Sequence, residues 1–364
     1  MQKKSADYMS ARSSYTELQN ITRDLDRTTV PRLPPALGFA GDMEYMKQVD
    51  IWKRWIAWEK DDPLVLKDEN PVAYKARIIY IYKQAFMALT FWPEIWFGAA
   101  EFCFANDMEA EGDEFLSQGS THNPESSLLA FRRADRLEMT TTNGNDDDSK
   151  VARGKRVSEP YNNLLDALYA LIDKAMAREK QEITRIEADF LEPNPDEANG
   201  TAKSDSDDED DEHEDEELKQ KKIVEDKKQM QIRASKAISS LQISLLSKSI
   251  SHAWIALMRA MQRMQGKGKP KEKIGGSRQV FINSRTRGRI TSDVWLAAAL
   301  LEFHSSDTEA AKRIFDRGWK TFPEDESFAL EYIKLLTSVN DHTSESPLAS
   351  PLVLSMANMI QMRG

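Results

Sequence analysis

The stretch IFDRGWKTFPEDESFALEYIKLL, residues Ile314–Leu336, joins two amphipathic segments through a proline. On each side of Pro323, apolar residues recur at offsets of three and four, which is the spacing of one face of an α-helix. Proline lacks a backbone donor and clashes inside a helix, so it marks the break between the segments. The stretch therefore predicts two helices that are joined by a short turn.

A second version of this pattern lies upstream in FLSQGSTHNPESSLLAFRRADRLE, which begins at Phe115. When Phe115 is aligned with Ile314, three further positions coincide: Leu116 with Phe315, Gly119 with Gly318 and Pro124 with Pro323. These coincidences within ten residues indicate that both stretches are copies of one repeating unit.

Large aromatic residues give the length of the unit. Phe281 and Phe315, on predicted second helices, are 34 residues apart, and Trp295 and Phe328, on predicted first helices, are 33 apart. Tyr82 to Trp96 and Phe281 to Trp295 each span 14 residues across a turn. This is the period of a helix–turn–helix repeat.

The predicted first helices also share one face. Three of them carry a ring, a second residue at +3 and an acid at +7: Trp52, Trp55 and Glu59; Phe131, Ala134 and Glu138; Trp295, Ala298 and Glu302. These offsets lie on one side of a helix. The acid is absent after Trp96, Trp254 and Phe328, so the motif is degenerate.

We therefore predict an all-α protein, an α-solenoid of stacked helical hairpins in which each hairpin needs its neighbours for stability. The residues expected to fill the seams between helices are Trp52, Trp55, Glu59, Tyr82, Trp96, Leu116, Gly119, Phe131, Ala134, Trp254, Phe281, Trp295, Ala298, Phe315, Gly318 and Phe328.

The composition divides the chain into seven segments. We predict an N-terminal helix from a preceding repeat (1–27, helical near Tyr8 to Leu25), a proline-rich connector (28–45), repeats (46–143), a loop and a long helix (144–190), a disordered acidic insert (191–219), repeats that resume near Ile223 (220–340) and an irregular tail (341–364). The polar stretch 140–155 is expected to be a loop.

The charge and cysteine content limit the function classes. The net charge of −10 arises from Asp205–Glu217, where eleven of thirteen residues are acidic; the remainder of the chain has an excess of one positive charge. The single cysteine, Cys103, excludes an intramolecular disulfide framework. No segment has the pattern of a secretory signal or a membrane span, so we expect a soluble intracellular protein with no membrane contact.

No catalytic, metal or cofactor pattern is present in the sequence. The five histidines are scattered, and GKGKPKEKIGG (266–276) lacks the phosphate-binding motif of nucleotide enzymes. We expect no cofactor, no small-molecule substrate and no enzymatic activity. A basic patch for weak RNA contact is an alternative to a solvated loop at Lys267, Lys269, Lys271, Lys273, Arg285, Arg287 and Arg289.

The tryptophan and acid offsets resemble half-a-TPR (HAT) repeats, which occur in RNA-processing scaffolds. DYMSAR, WKRWIAWEKDDPL, PEIWFGAAEF, AWIALMRAMQRMQGKG and RIFDRGWKTFP together resemble the fungal form of the large HAT-repeat subunit of cleavage stimulation factor. The resemblance covers roughly Tyr8 to Asn340. It implies a nuclear scaffold, also expected in the cytoplasm, that binds other cleavage and polyadenylation factors.

Two alternatives remain open from the sequence: a HAT scaffold of another RNA-processing complex, such as a splicing complex, and a module that binds RNA directly. The resemblance also implies a homodimer. Phe328, Leu330, Tyr332 and Leu336 are predicted to lack a following hairpin that would cover them, which favours self-association.

Overall fold

The structure is a computed structural model that describes residues 2–26, 30–35, 41–140, 146–190 and 210–340. Within these ranges the chain forms thirteen α-helices and no β-strand, which confirms the prediction of an all-α repeat fold. No helix among the described residues combines the length and the apolar composition needed to cross a bilayer.

The chain divides into two compact units, Met1–Leu164 and Leu165–Gly364. The first contains α1 (Gln2–Ile21), α2 (Asp42–Lys60), α3 (Leu66–Glu69), α4 (Pro71–Ala88), α5 (Pro93–Phe104), α6 (Glu109–His122) and α7 (Ser127–Thr140). Helix α8 (Asp147–Asp189) begins in the first unit and ends in the second. The second also contains α9 (Asp210–Gln265), α10 (Gly276–Arg287), α11 (Ser292–His304), α12 (Thr308–Thr321) and α13 (Glu326–Asn340).

The helices pack as antiparallel hairpins in each unit. In the first unit α2 packs on α4 and α5 packs on α6, while α5 also contacts α7. In the second unit α9 packs on α10 and α11 on α12, while α11 also contacts α9 and α13. First helices therefore lie beside first helices, which is the arrangement of a helical-repeat solenoid.

Individual residues determine where several of these helices begin. Pro71 and Pro93 occupy the first positions of α4 and α5, where a missing backbone donor has no cost. The Asn70 side chain accepts a 3.1 Å hydrogen bond from the Ala73 backbone N–H, and Asp307 caps α12 through a 3.0 Å bond from Ala310 N–H. Such caps satisfy donors that the first helical turn leaves free.

Helix α8 begins earlier than the sequence indicated. The stretch 140–155 was predicted to be a loop, but residues from Asp147 onward are helical and the helix continues through Pro160. Val157 is fully buried and Tyr161 nearly so. Packing of this apolar face therefore stabilises the helix across a proline that would interrupt an isolated one.

Helix α9 is a single helix of 56 residues, although the sequence predicted an acidic insert up to residue 219 and hairpins from about Ile223. The hairpin prediction was wrong for the first half of this segment. No glycine or proline occurs between Asp210 and Gln265, so no residue there breaks the helix. Residues 191–209 of the predicted insert lie outside the described residues.

The face of α13 is more covered than predicted. Phe328 and Tyr332 are each 1% exposed because both pack against Phe315 of α12. Leu336 is half-buried, and Leu330 remains exposed. The described helices therefore supply most of the cover that was expected from a following hairpin, and the predicted tail 341–364 lies outside the described residues.

Candidate interaction surface

Ring pairs recur at the seam between a second helix and the next first helix. Phe281 and Trp295 meet edge to face with centroids 5.2 Å apart, and Phe315 lies 5.4 Å from Phe328. In the first unit Trp96 stacks on Phe86 at 3.7 Å, and Phe86 lies one turn after Tyr82, the residue from which the 14-residue spacing was counted. Aromatic pairs contribute about 0.5–1.5 kcal/mol beyond the area they bury.

The structure buries most of the residues that were assigned to the seams. Trp55 and Phe131 are the two exceptions, and both are half-buried. Trp55 stacks on Trp52 at 5.3 Å, and Phe131 lies 5.6 Å from Tyr161. The buried members are Trp52, Glu59, Tyr82, Trp96, Leu116, Gly119, Ala134, Trp254, Phe281, Trp295, Ala298, Phe315, Gly318 and Phe328.

The two aligned glycines allow a helix to approach a ring closely. A Cβ atom on Gly119 would lie 2.8 Å from Trp96 Cβ, and one on Gly318 would lie 2.5 Å from Phe328 Cζ. Contacts this short do not occur between packed carbon atoms. Gly119 meets the ring of its own hairpin, whereas Gly318 meets the ring of the following hairpin.

The acid at +7 binds an arginine from a neighbouring helix in two repeats. Glu59 is 5% exposed and accepts hydrogen bonds of 3.1 and 2.8 Å from Arg77 of α4. Glu302 is equally buried and accepts bonds of 2.6 and 2.7 Å from Arg278 of α10. These bidentate pairs satisfy carboxylates that would otherwise be buried without a partner.

Arg278 also joins the cap of the next helix. It donates a 2.8 Å hydrogen bond to Asp307, and these bonds, chiefly the one to Glu302, raise the pKa of Arg278 above its ordinary value. The backbone N–H of Ala310 is the main cause that lowers the pKa of Asp307. Both groups are therefore held charged, and they link α10, α11 and the start of α12.

Replacement of Glu302 by glutamine is expected to lower the free energy of unfolding of the second unit by about 1–2 kcal/mol, because one charged acceptor of Arg278 is lost. Urea titration followed by circular dichroism measures the change. The control is Glu331→Gln, which alters the exposed pair of Glu331 and Lys334 and should cost less than about 0.5 kcal/mol. Equal effects would contradict a structural role of the Glu302 pair.

A groove of about 390 Å³ opens between α10, α11 and α12, and we refer to it as the α10–α12 groove. Its apolar lining includes Phe281, Ile282, Trp295, Ala298 and Ile314. Its basic lining consists of Arg278, Arg285, Arg313 and Arg317. The Arg285 guanidinium lies 5.3 Å from the ring centroids of both Phe281 and Trp295. Arg285, Arg313 and Arg317 make no ion pair with another described residue.

The structure separates the basic patch that the sequence suggested. Only Arg285 of that set lines the α10–α12 groove. Arg287 forms a 2.7 Å ion pair with Asp166 and lies over the Tyr169 ring, and Arg289 donates to Met176 Sδ, so both contact α8.

The lysines of the patch occupy the turn between α9 and α10. Lys267 is 3.8 Å from Glu302, Lys269 is 3.6 Å from Glu272, and Lys271 and Lys273 are exposed. The turn is closed by a 3.0 Å hydrogen bond from Lys269 N–H to Ile274 O. Acidic neighbours thus reduce the positive charge that this turn presents to solvent.

Arg278 was noted from the sequence as a neighbour of the basic patch, whereas Arg313 and Arg317 were not identified. Arg313 and Arg317 are four residues apart on α12, a spacing that places both on one helix face. That spacing predicts a basic face on α12, but only the fold shows that this face lines a groove.

The sequence of the chain is similar to those of known proteins. A family model described as Suppressor of forked protein (Suf) matches residues 1–354. The chain belongs to the Suf family. The predicted resemblance to an mRNA 3′-end-processing subunit is confirmed by the names of its relatives.

Three fungal relatives are each named as an mRNA 3′-end-processing protein. The chain is 60% identical over 341 residues to mRNA 3′-end-processing protein rna14 of Aspergillus oryzae, covering 94% of this chain and 30% of that protein. It is 46% identical to rna-14 of Neurospora crassa, covering 97% and 30%, and 29% identical to RNA14 of Yarrowia lipolytica, covering 95% and 33%. The chain thus spans about a third of the length of these relatives.

Proposed function

We propose that the chain is part of a scaffold subunit of the pre-mRNA cleavage and polyadenylation machinery, working in the nucleus and binding other processing factors through its repeat surfaces. The observation that carries the proposal is the identity of up to 60%, across 94% of this chain, with relatives named mRNA 3′-end-processing proteins. A solenoid of stacked hairpins supports the scaffold role because it offers long surfaces to several partners.

We also propose that the role is not enzymatic. Groups with catalytic chemistry are used in packing: Glu59 and Glu302 bind arginines, and Cys103 is fully buried. Burial raises the pKa of Cys103 to about 11, so its thiol stays protonated and unreactive near neutral pH. Among the described residues, no group of His, Cys, Asp or Glu is arranged to hold a metal ion.

Affinity purification of the tagged chain from nuclear extract tests the proposal. Cleavage and polyadenylation factors are expected to co-purify and to remain bound after nuclease treatment. Recovery of splicing proteins without polyadenylation factors would assign the chain to a different RNA-processing scaffold. Loss of every partner on nuclease treatment would indicate that RNA, rather than protein contact, holds the assembly together.

Direct RNA binding is a second candidate, and Arg285, Arg313 and Arg317 of the α10–α12 groove support it because they have no acidic partner among the described residues. A homodimer is likewise proposed from the family resemblance. Leu330, 49% exposed on α13, is the apolar side chain there that a second copy would cover.

A further inference from the structure

Helix α9 carries large apolar residues on a face that the described residues leave mostly exposed. The exposed fractions are 72% for Ile238, 64% for Leu241 and 57% for Leu245. Met230, 66% exposed, and Ile223, 53% exposed, continue this face toward the start of the helix. We call these five residues the outer stripe. Aliphatic side chains this exposed are common singly, but a row of them marks an interaction surface.

The outer stripe lies opposite the buried face of the same helix. Ile232 is 7% exposed and Ile250 is fully buried, and Leu241 is nine residues from each. At about 100° per residue, nine residues make two and a half turns, so Leu241 points away from both. A helix that is apolar on two opposite faces is normally covered on both. The described structure covers one of them.

The spacing of the stripe fits a partner helix. Ile223 and Met230 are seven residues apart, as are Ile238 and Leu245, with Leu241 between the latter two. Aliphatic residues on a seven-residue repeat form the seam between two packed helices. Small residues continue the same seven-residue spacings at Ala234, Ala237 and Ser244, which permits close approach of a second helix.

The charge around the stripe indicates the chemistry of that partner. From Lys222 to Lys248 there are six Lys and Arg residues and two acidic ones, an excess of four positive charges. Lys227 and Lys248 are 14 and 7 residues from Leu241, so the same seven-residue repeat places them at the two ends of the seam. They are about 32 Å apart at 1.5 Å per residue, and neither has an ion pair with a described residue.

A second copy of the chain fits this surface less well, because it would bring the same positive excess to the interface. Like charges across an interface weaken association, whereas acidic residues on the partner would pair with the lysines. The cavity beside Ile238 does not change this balance, since its α8 wall carries Arg178 and Arg185 together with Glu179 and Glu182.

We propose that the outer stripe of α9 binds an acidic amphipathic helix of another protein. The bound helix would carry Leu, Ile or Met on a seven-residue repeat against Ile238, Leu241 and Leu245. Its Asp and Glu residues would lie beside Lys227 and Lys248. This binding mode places one helix in the groove of another along several turns. The inference does not depend on the proposed role in 3′-end processing, because peptide binding is measured directly.

Two synthetic peptides of about 28 residues test the proposal, each with leucine at the a and d positions of four heptads. One has glutamate and the other lysine at positions e and g. Fluorescence anisotropy with the complete 364-residue chain at about 0.15 M salt measures their affinities. We expect the acidic peptide to bind at least about tenfold more tightly than the basic one.

Substitutions on α9 test whether the acidic peptide binds to the outer stripe. Ile238→Gln, Leu241→Gln and Leu245→Gln together are expected to reduce affinity for the acidic peptide at least about tenfold while preserving helix propensity. The matched control is Met43→Gln with Val72→Gln, which changes aliphatic residues that are 87% and 76% exposed in the first unit. Lys227→Glu with Lys248→Glu should reverse the peptide preference, and Lys67→Glu with Lys312→Glu, of equal charge change, should not.

Three outcomes would overturn the proposal. One is equal binding of both peptides, or acidic-peptide binding that the triple α9 variant leaves unchanged. Another is a dimer, seen by sedimentation velocity, that the triple variant dissociates, since the stripe would then bind a second copy. The last is a clear fall in melting temperature of the triple variant, because another part of the same chain would then cover the stripe.

Discussion

Replacement of Phe315 by alanine is expected to lower the free energy of unfolding of the second unit by about 3–5 kcal/mol. Phe315 has no exposed surface, and its ring stacks on Tyr332 at 4.9 Å with the planes 4° apart. It also lies 5.4 Å from Phe328. Alanine would leave a cavity between α12 and α13 that these two rings cannot fill without losing their own contacts.

Urea unfolding, followed by the helical circular dichroism signal, measures this effect. The matched control is Leu330→Ala on α13, where a side chain that is 49% exposed should cost less than about 1 kcal/mol. Phe315→Leu should fall between the two because it retains much of the apolar volume. A loss for Phe315→Ala no larger than that for Leu330→Ala would show that the seam between α12 and α13 is not a source of stability.

The same residues explain why the repeat fold could be predicted from the sequence. Phe281 and Phe315, like Trp295 and Phe328, recur because each hairpin must fill the same seam against its neighbour. A side chain of fixed size at a fixed spacing leaves a periodic record in the sequence. Pro93, Pro124 and Pro323 mark the turns for a local reason, since proline disfavours the continuation of a helix from its preceding residues.

The polar contacts between helices do not recur at a fixed spacing in the sequence. Glu59 binds Arg77, 18 residues later, whereas Glu302 binds Arg278, 24 residues earlier, so no fixed offset identifies the partner. Similarly, Phe86 rather than Tyr82 stacks on Trp96, because both residues lie on the same helix face one turn apart and the approach of α5 decides between them.

Polar composition misled the predictions at the start of α8 and at the start of α9, where a loop and a disordered insert were expected. Lysine, glutamate, glutamine and alanine are good helix formers, so the charged segment of α9, which has neither glycine nor proline, continues a helix readily. In α8 the helix continues through Pro160 beside the buried Val157 and Tyr161. The resulting α9 has a buried face and an exposed apolar face, and only the fold distinguishes Ile232 from Leu241. The spacing of apolar residues does not show which of these two faces is left exposed, whereas the burial of each residue in the structure does.

Replacement of Gly119 by alanine is expected to lower the free energy of unfolding of the first unit by about 1–3 kcal/mol. The new Cβ would lie 2.8 and 2.9 Å from Cβ and Cγ of Trp96, which is 3% exposed and stacked on Phe86. Trp96 cannot withdraw, because its indole N–H also donates a 2.9 Å hydrogen bond to Thr90 O. The clash outweighs the gain of about 1 kcal/mol in helix propensity.

Gly98→Ala on α5 is the matched control, since the nearest atom there is the phenol oxygen of Tyr82, at 3.1 Å, and this substitution should be neutral or stabilising. Gly318, which aligns with Gly119, should differ from it when the ring that it contacts is also replaced. Gly318→Ala clashes with Phe328 Cζ, at the tip of the ring, so Phe328→Leu should relieve much of its cost in a double-mutant cycle of unfolding free energies. Trp96→Phe should give Gly119→Ala little relief, because every side chain except that of glycine retains the Cβ that it meets. If the ring substitutions reduced the cost of both glycine substitutions equally, Gly119 could not be limited by the Cβ of its neighbour and Gly318 by the tip of a ring. The proposed difference between the two contacts would then be wrong.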